Sequence, residues 1–288
     1  MLNLFKFTRV LTFAACFSPY LLWAQTAAQV TTGADPKTAL ADRAWELLRD
    51  GTKEKGTEHR ASAVRALSLL QGERRAVALA IRALSDSKPE VRTAAATALG
   101  EMHATTSIPN LKDALSDKEL TVVLAAAHSL LILKDASPFE VYYAILTGDR
   151  KGSGLISGQL AILKDPKKMA LLGFREGIGY VPFGDIGYMA VRTMTKDGSG
   201  PVRATAAKAL ADDADPVTQN MLAQEALSDK SELVRIAALE AISKRGDPAA
   251  IDKIATALND SKSSVRYAAA AAILHLDDLS RRKTKPRK

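Results

Sequence analysis

At 288 residues the chain would ordinarily hold one or two domains. Its formal charge of +8 sits at the ends: Lys6 and Arg9 near the start, and Arg281, Arg282, Lys283, Lys285, Arg287 and Lys288 near the finish. Taking these eight from the 40 basic residues leaves 32 against 32 acidic ones, and a neutral body argues against a nucleic-acid binder. Aromatic residues are 5% of the chain, but alanine runs such as Ala94–Ala96 and Ala268–Ala272 suit closely packed helices, so few aromatics need not mean disorder.

In chain order, residues 1–24 read as a secretory signal peptide: Lys6 and Arg9, an apolar run from Val10 to Trp23, then small residues. The expected location is therefore the periplasm or the exterior. Cys16, the sole cysteine, would leave with the signal, which excludes disulfides, thiol catalysis and zinc–thiolate sites from the mature chain. Residues 25–37 read as a linker.

Beyond it the chain repeats. ALSDSKPEVR at 83–92 returns as ALSDKSELVR at 226–235 and ALNDSKSSVR at 257–266, with a degraded copy at 114–123. The step is 31 residues, from Asp86 to Asp117 and again from Asp229 to Asp260. A fixed period of this size signals stacked two-helix units that bury only between neighbours. First helices are predicted near 38–49, 73–85, 107–116, 138–147, 186–196, 217–228 and 249–259. Several open with Pro after Asp, where a missing N–H costs nothing. Second helices are predicted near 58–70, 88–99, 119–133, 152–163, 201–211, 231–244 and 262–276, all but the first of them just after an Asp placed to accept from free N–H groups. An Arg follows that Asp by six residues at Asp86–Arg92, Asp197–Arg203, Asp229–Arg235 and Asp260–Arg266, whereas Val123 and Leu155 take its place elsewhere.

This D-x5-R spacing followed by alanines, as in Asp229, Arg235, Ala238, Ala241 and Ile242, resembles the HEAT-like repeats in the short-period form of phycobilisome-lyase-type proteins. The resemblance covers about 38–277. It implies an all-α, right-handed α-solenoid of about seven two-helix units. It also implies a ladder between adjacent units made by Asp86, Arg92, Asp197, Arg203, Asp229, Arg235, Asp260 and Arg266. The ladder pairs are expected to be partly exposed, each contributing roughly 0.2–1 kcal/mol.

The period fails once. Asp215 to Asp229 spans 14 residues and Asp247 to Asp260 spans 13, but Asp165 to Asp197 spans 32. The extra residues fall near 169–187, a glycine-rich stretch in which Phe174, Tyr180, Phe183 and Tyr188 are candidate partner-binding residues. It would be a structural wedge, a partner contact or a membrane contact.

Catalytic signatures are absent. His59, His103, His128 and His275 lie in different units and none stands in an H-E-x-x-H frame. Asp212, Asp213 and Asp215 read as helix-capping carboxylates rather than a cation site. The expectation is a non-catalytic, exported scaffold for a protein partner, with no cofactor and no metal. The alternatives are a lyase-like protein handling a chromophore or metal, and a peripheral membrane binder using 169–187. The segment 278–288 reads as a disordered basic tail, attracted to an anionic membrane or envelope polymer.

Overall fold

The computed structural model describes residues 36–139, 141–143 and 200–284. Its main helices are α1 (Pro36–Gly51), α2 (Thr57–Ala66), α3 (Arg74–Ala83), α4 (Pro89–Glu101), α5 (Ile108–Ala114) and α6 (Leu120–Ile132). After the undescribed stretch come α7 (Gly200–Ala209), α8 (Pro216–Ser228), α9 (Glu232–Arg245), α10 (Ile251–Ile254) and α11 (Ser263–Thr284). Short 3-10 turns extend several of them, and the described residues contain no strand. The fold is an all-α solenoid.

Local chemistry sets the boundaries. Asp215 caps α8 by accepting from the Val217 N–H at 2.8 Å, with Pro216 in the first turn. Glu73 caps α3 through the Arg75 N–H at 3.0 Å. Second helices start behind an aspartate whose Oδ1 accepts the N–H two residues on: Lys88 to Asp86, Glu119 to Asp117, Ser231 to Asp229 and Lys262 to Asp260, all at 2.7–2.9 Å. Helix α9 stops at Gly246, whose φ of 67° ends the helix in the left-handed conformation.

Burial follows from small side chains. Helix α4 has no solvent contact at Ala94, Ala95, Ala96 and Ala98, and α11 has none at Ala269 to Ala272. A helix covered on most sides lies between neighbours, so α2, α4, α6, α7, α9 and α11 form an inner row. The outer helices α3, α5, α8 and α10 each pack on the inner helix that follows them. Alanines and Gly100 bring α4 and α6 close enough for the buried Ser129 hydroxyl to donate to the Ala96 carbonyl at 2.8 Å.

The inner row does not follow chain order. Helix α7 packs on α9 and α9 on α11, but α11 then packs on α2, followed by α4 and α6. The last unit therefore abuts the first. The first helices agree, since Arg43 of α1 donates to Asn259 at 2.5 Å. An end unit in a stack exposes an apolar flank that needs a cap, and here the two terminal units cover each other. Their seam is specifically shaped. Gly51 takes the position that Ala83, Ala114, Ala226 and Ala257 hold in the other units. A Cβ on Gly51 would lie 2.5 Å from Cε1 of Tyr267 and 2.8 Å from Cβ of Ala63. Tyr267, 3% exposed, fills that gap from α11.

The tail differs from expectation. Helix α11 continues to Thr284, so Arg281, Arg282 and Lys283 are helical. Two pairs one turn apart favour this, Arg281–Asp277 at 2.8 Å and Arg282–Asp278 at 2.6 Å. Lys285, Arg287 and Lys288 lie outside the described residues, as do the signal segment 1–24 and the linker up to residue 35.

Candidate functional site

Two polar systems lie on the inner row, one structural and one open to solvent. The structural one links neighbouring units. Arg92 sends Nε and Nη2 to Asp117 at 2.7 Å each, and Arg235 does the same to Asp260 at 2.8 and 2.9 Å. Each also donates Nη1 to the carbonyl six residues before it, Asp86 at 3.0 Å and Asp229 at 2.8 Å. Arg203 reaches Asp229 at 2.9 and 3.1 Å. Arg60 makes the same fork to Asp86 at 2.8 and 2.9 Å, a partner the sequence concealed because Glu54 replaces the aspartate of that unit. Asp197 lies outside the described residues.

Burial separates these pairs. Arg92 and Arg235 are 6% and 7% exposed, which corrects the expectation of partly exposed pairs, whereas the Arg203 side chain is 42% exposed. Hydrogen bonds from Arg60, against the cost of burial, hold the Asp86 carboxyl below the usual range. At Asp117 and Asp260 burial acts to raise the carboxyl, but the arginine bonds and the capping N–H outweigh it, and both lie low. The series pauses at the seam. Among the described residues Arg266 donates to the Asp260 carbonyl at 2.8 Å and the Ser261 carbonyl at 3.3 Å, and reaches no carboxylate.

The aspartates before α8 are committed to the backbone and to neighbours. Asp213 accepts from the Asp215 N–H at 3.1 Å and the Thr218 hydroxyl at 2.5 Å, while Lys244 pairs with Asp212 at 2.8 Å. Arg245 straps the same turn through the carbonyls of Leu210, Asp213 and Asp215.

The open system is a groove of about 680 Å³ walled by α2, α4, α7, α9 and α11. Register explains its lining. Counted from the arginine of each unit, the fifth residue on is Lys208, Glu240, Arg65, Thr97 or Ala271, and the ninth is Asp212, Lys244, His275, Leu69 or Glu101. All but Ala271 and Asp212 line the groove. The groove wall combines alanines that the units share, such as Ala66, Ala98 and Ala241, with these positions at which they diverge. That divergence within one chain was the readable signal for the site, and the period alone hid it.

Charge in the groove is mixed. Lys208 pairs with Glu240 at 2.9 Å. Burial works against its ammonium, but the charge and hydrogen bond of Glu240, with a contribution from Glu101, keep its pKa above the ordinary value. Glu101 is exposed, yet the protein crowded around its carboxyl pushes its pKa up; the Ser68 hydroxyl and Lys208 oppose this without cancelling it, and Glu240 adds to it. Burial lowers His275 on α11. Of the histidines, clustered aspartates and ladder residues singled out in the sequence, His275 is the one among the described residues that lines this groove. Phe174, Tyr180, Phe183 and Tyr188 lie outside the described residues. Among the described residues no three His, Cys, Asp or Glu side chains are grouped to hold a metal ion, and no helix is long and apolar enough to cross a membrane.

A family model for HEAT repeats matches residues 45–131 and 190–274, more than half of the chain. The chain belongs to the HEAT-repeat family. HEAT repeats commonly serve as scaffolds for protein interaction, and the family is generally non-catalytic. The two matched stretches are separated by the part of the chain where the period fails. Comparison with curated proteins finds no match. In this HEAT-repeat protein the units that abut at the α11–α2 seam come from different matched stretches, and both supply walls of the groove.

Proposed function

We propose that this HEAT-repeat protein is an exported, non-catalytic scaffold that receives a segment of a partner polypeptide in its inner groove. The observation that carries the reading is the divergence at groove-facing positions. At two register positions that face one concavity the units carry Lys, Glu, Arg, Thr, His or Leu, while alanines that they share line the same wall. A volume near 680 Å³ falls within the range of recognition sites. Extended concave surfaces are also what repeat stacks offer to partners. Export rests on the signal-like segment 1–24, and Phe174, Tyr180, Phe183 and Tyr188 are further candidates for partner contact. The tail supports contact with an anionic envelope surface only weakly, because Arg281 and Arg282 already pair with Asp277 and Asp278.

The test compares what the intact chain and its Thr97→Trp variant retain from the organism's own envelope fraction. Thr97 stands half-buried on the groove wall, so an indole there fills space without disturbing a ladder pair. The proposal expects a retained protein to be lost with Thr97→Trp while the melting temperature holds. Unchanged retention would remove the groove from the account. Fractionation of cells should place the chain outside the cytoplasm.

A further inference from the structure

Arg65 of α2 lines the inner groove with no acceptor for its buried Nε. Its one ion pair among the described residues joins Nη1 to Glu58 at 3.6 Å, longer than a hydrogen bond, and the Glu58 side chain is 72% exposed. That contact places the head of the side chain. Glu58 stands two turns before Arg65, so the guanidinium lies back along α2 beyond Ser62. Ser264 holds on α11 the position that Glu58 holds on α2, two residues before the arginine of its unit, and α11 packs on α2. Ser62 and Ser264 both line the groove, as do Ala94 and Ala268, which take the position of Ser62 in their own units. Hydroxyls and small side chains thus wall the space before the guanidinium. Charge in the lining favours an anion, with Arg65, Lys208 and Lys244 set against Glu101 and Glu240. Lys208 is bound to Glu240 at 2.9 Å and Lys244 to Asp212 at 2.8 Å, so Arg65 is the cation with the loosest partner. Glu101 stands eleven positions beyond the level of Glu58, roughly 16 Å along the helices.

We propose that Arg65 sets the specificity of the groove by pairing with an aspartate or glutamate side chain of the partner polypeptide. This rests on the groove being the interaction surface. No acceptor locks the guanidinium, so its last torsions can turn Nε and one Nη onto the two oxygens of an incoming carboxylate, a fork that matches both groups. The bond gives Nε the acceptor it lacks in the free chain, where a buried donor without one is unfavourable. The Ser62 and Ser264 hydroxyls lie beside the same place and can donate to the same oxygens. Walls of protein on several sides make the pair stronger than it would be on an open surface. A basic residue there would meet a like charge, and an apolar one would cover the guanidinium without supplying an acceptor, so both are penalised.

The experiment selects displayed random peptides on the immobilised chain, with Arg65→Gln, Arg65→Glu, Glu58→Gln and Thr97→Trp as parallel targets. Binders to the natural chain should share an Asp or Glu at one fixed place. Their affinity for Arg65→Gln should fall by about tenfold or more, the size of one lost charge-assisted pair. Arg65→Glu should instead enrich Lys or Arg at that place. Glu58→Gln removes the carboxylate that competes for Nη1, so it should bind the same peptides at least as tightly as the parent. Because the pair with Glu58 is long and exposed, Arg65→Gln should melt close to the parent, which separates lost binding from lost folding. Binders that Thr97→Trp abolishes but that show no acidic residue, or keep their affinity for Arg65→Gln, would overturn this inference and leave the groove reading standing. So would a loss with Glu58→Gln equal to that with Arg65→Gln, since the pair would then act through the fold. Binders indifferent to Thr97→Trp would overturn both.

Discussion

At the scale of single residues, the same Arg–Asp pair has different weight along the stack. Arg235 is buried, forks onto Asp260 and also satisfies the Asp229 carbonyl. Arg235→Ala should therefore cost about 3–5 kcal/mol in urea unfolding, the penalty for leaving a largely buried carboxylate without its counter-ion, with the Lys262 N–H still bound to it. Arg203→Ala should cost less, because the Arg203 guanidinium is 42% exposed and already largely hydrated, although the Asp229 side chain it meets is only 7% exposed. Equal losses would contradict this ranking. The same carboxylates set the acid limit. Asp86, Asp117, Asp229 and Asp260 are all held below the ordinary aspartate value, and Asp135 is pulled to about 2 by Ser137 and Lys112. A carboxyl lowered in the folded state stabilises above its unfolded value near 3.9 and loses that contribution as pH falls through the folded value. Thermal melts should be insensitive to these groups near neutrality and should fall steeply between about pH 4 and pH 2. Glu101 has the opposite sign. Its raised carboxyl means that ionisation costs a little stability, screened because the residue is exposed, so Glu101→Gln should leave the melting temperature at pH 7 unchanged or slightly raised.

Helix contacts set the next scale, and here the spacing between helices is fixed by what is missing from the side chains. A Cβ on Gly100 would lie 2.5 Å from the Ser129 hydroxyl oxygen and 2.9 Å from the Ser129 Cα on α6. Because backbone is among the atoms struck, the neighbour cannot simply rotate aside. Gly100→Ala should destabilise by about 1–3 kcal/mol through overpacking, despite the higher helix propensity of alanine. A stabilised variant in chemical denaturation would show that α4 and α6 are further apart than described. The helices expected near 138–147, 152–163 and 186–196 lie wholly or mostly outside the described residues. The described helices were legible in the sequence, because Asp caps, early prolines and alanine spacing are local signals. The true end of α11 was not, since a run such as RRKTKPRK looks like a solvated tail until Asp277 and Asp278 are placed one turn before its arginines. The Arg60–Asp86 pair was hidden for a related reason. A search for an Asp six residues earlier passes over a unit that carries Glu54, although Arg60 needs only the aspartate of the next unit.

For the whole molecule, the period identified a stack but not its order. Nothing in the repeat says whether the last unit is an end or a neighbour of the first, because every unit offers the same alanine-lined flanks. The distinguishing marks are two departures from the repeat, Gly51 where others have alanine and Tyr267 where others have Ala204, Ile236 or Thr93. Each looks like ordinary drift alone; only the fold shows them as a hole and the side chain that fills it. The groove inherits this ambiguity, since its walls come from both halves of the chain and no linear reading unites Glu101 with Lys208. The most direct measurement is a double-mutant cycle between Gly51→Ala and Tyr267→Ala, scored by urea unfolding of the intact chain. If the terminal units abut, Gly51→Ala is costly in the parent and less costly once the ring is gone, the contact with Ala63 remaining, which gives a coupling of about 1–3 kcal/mol. Effects that add to within about 0.5 kcal/mol would mean that the first and last units do not touch, and would contradict the account.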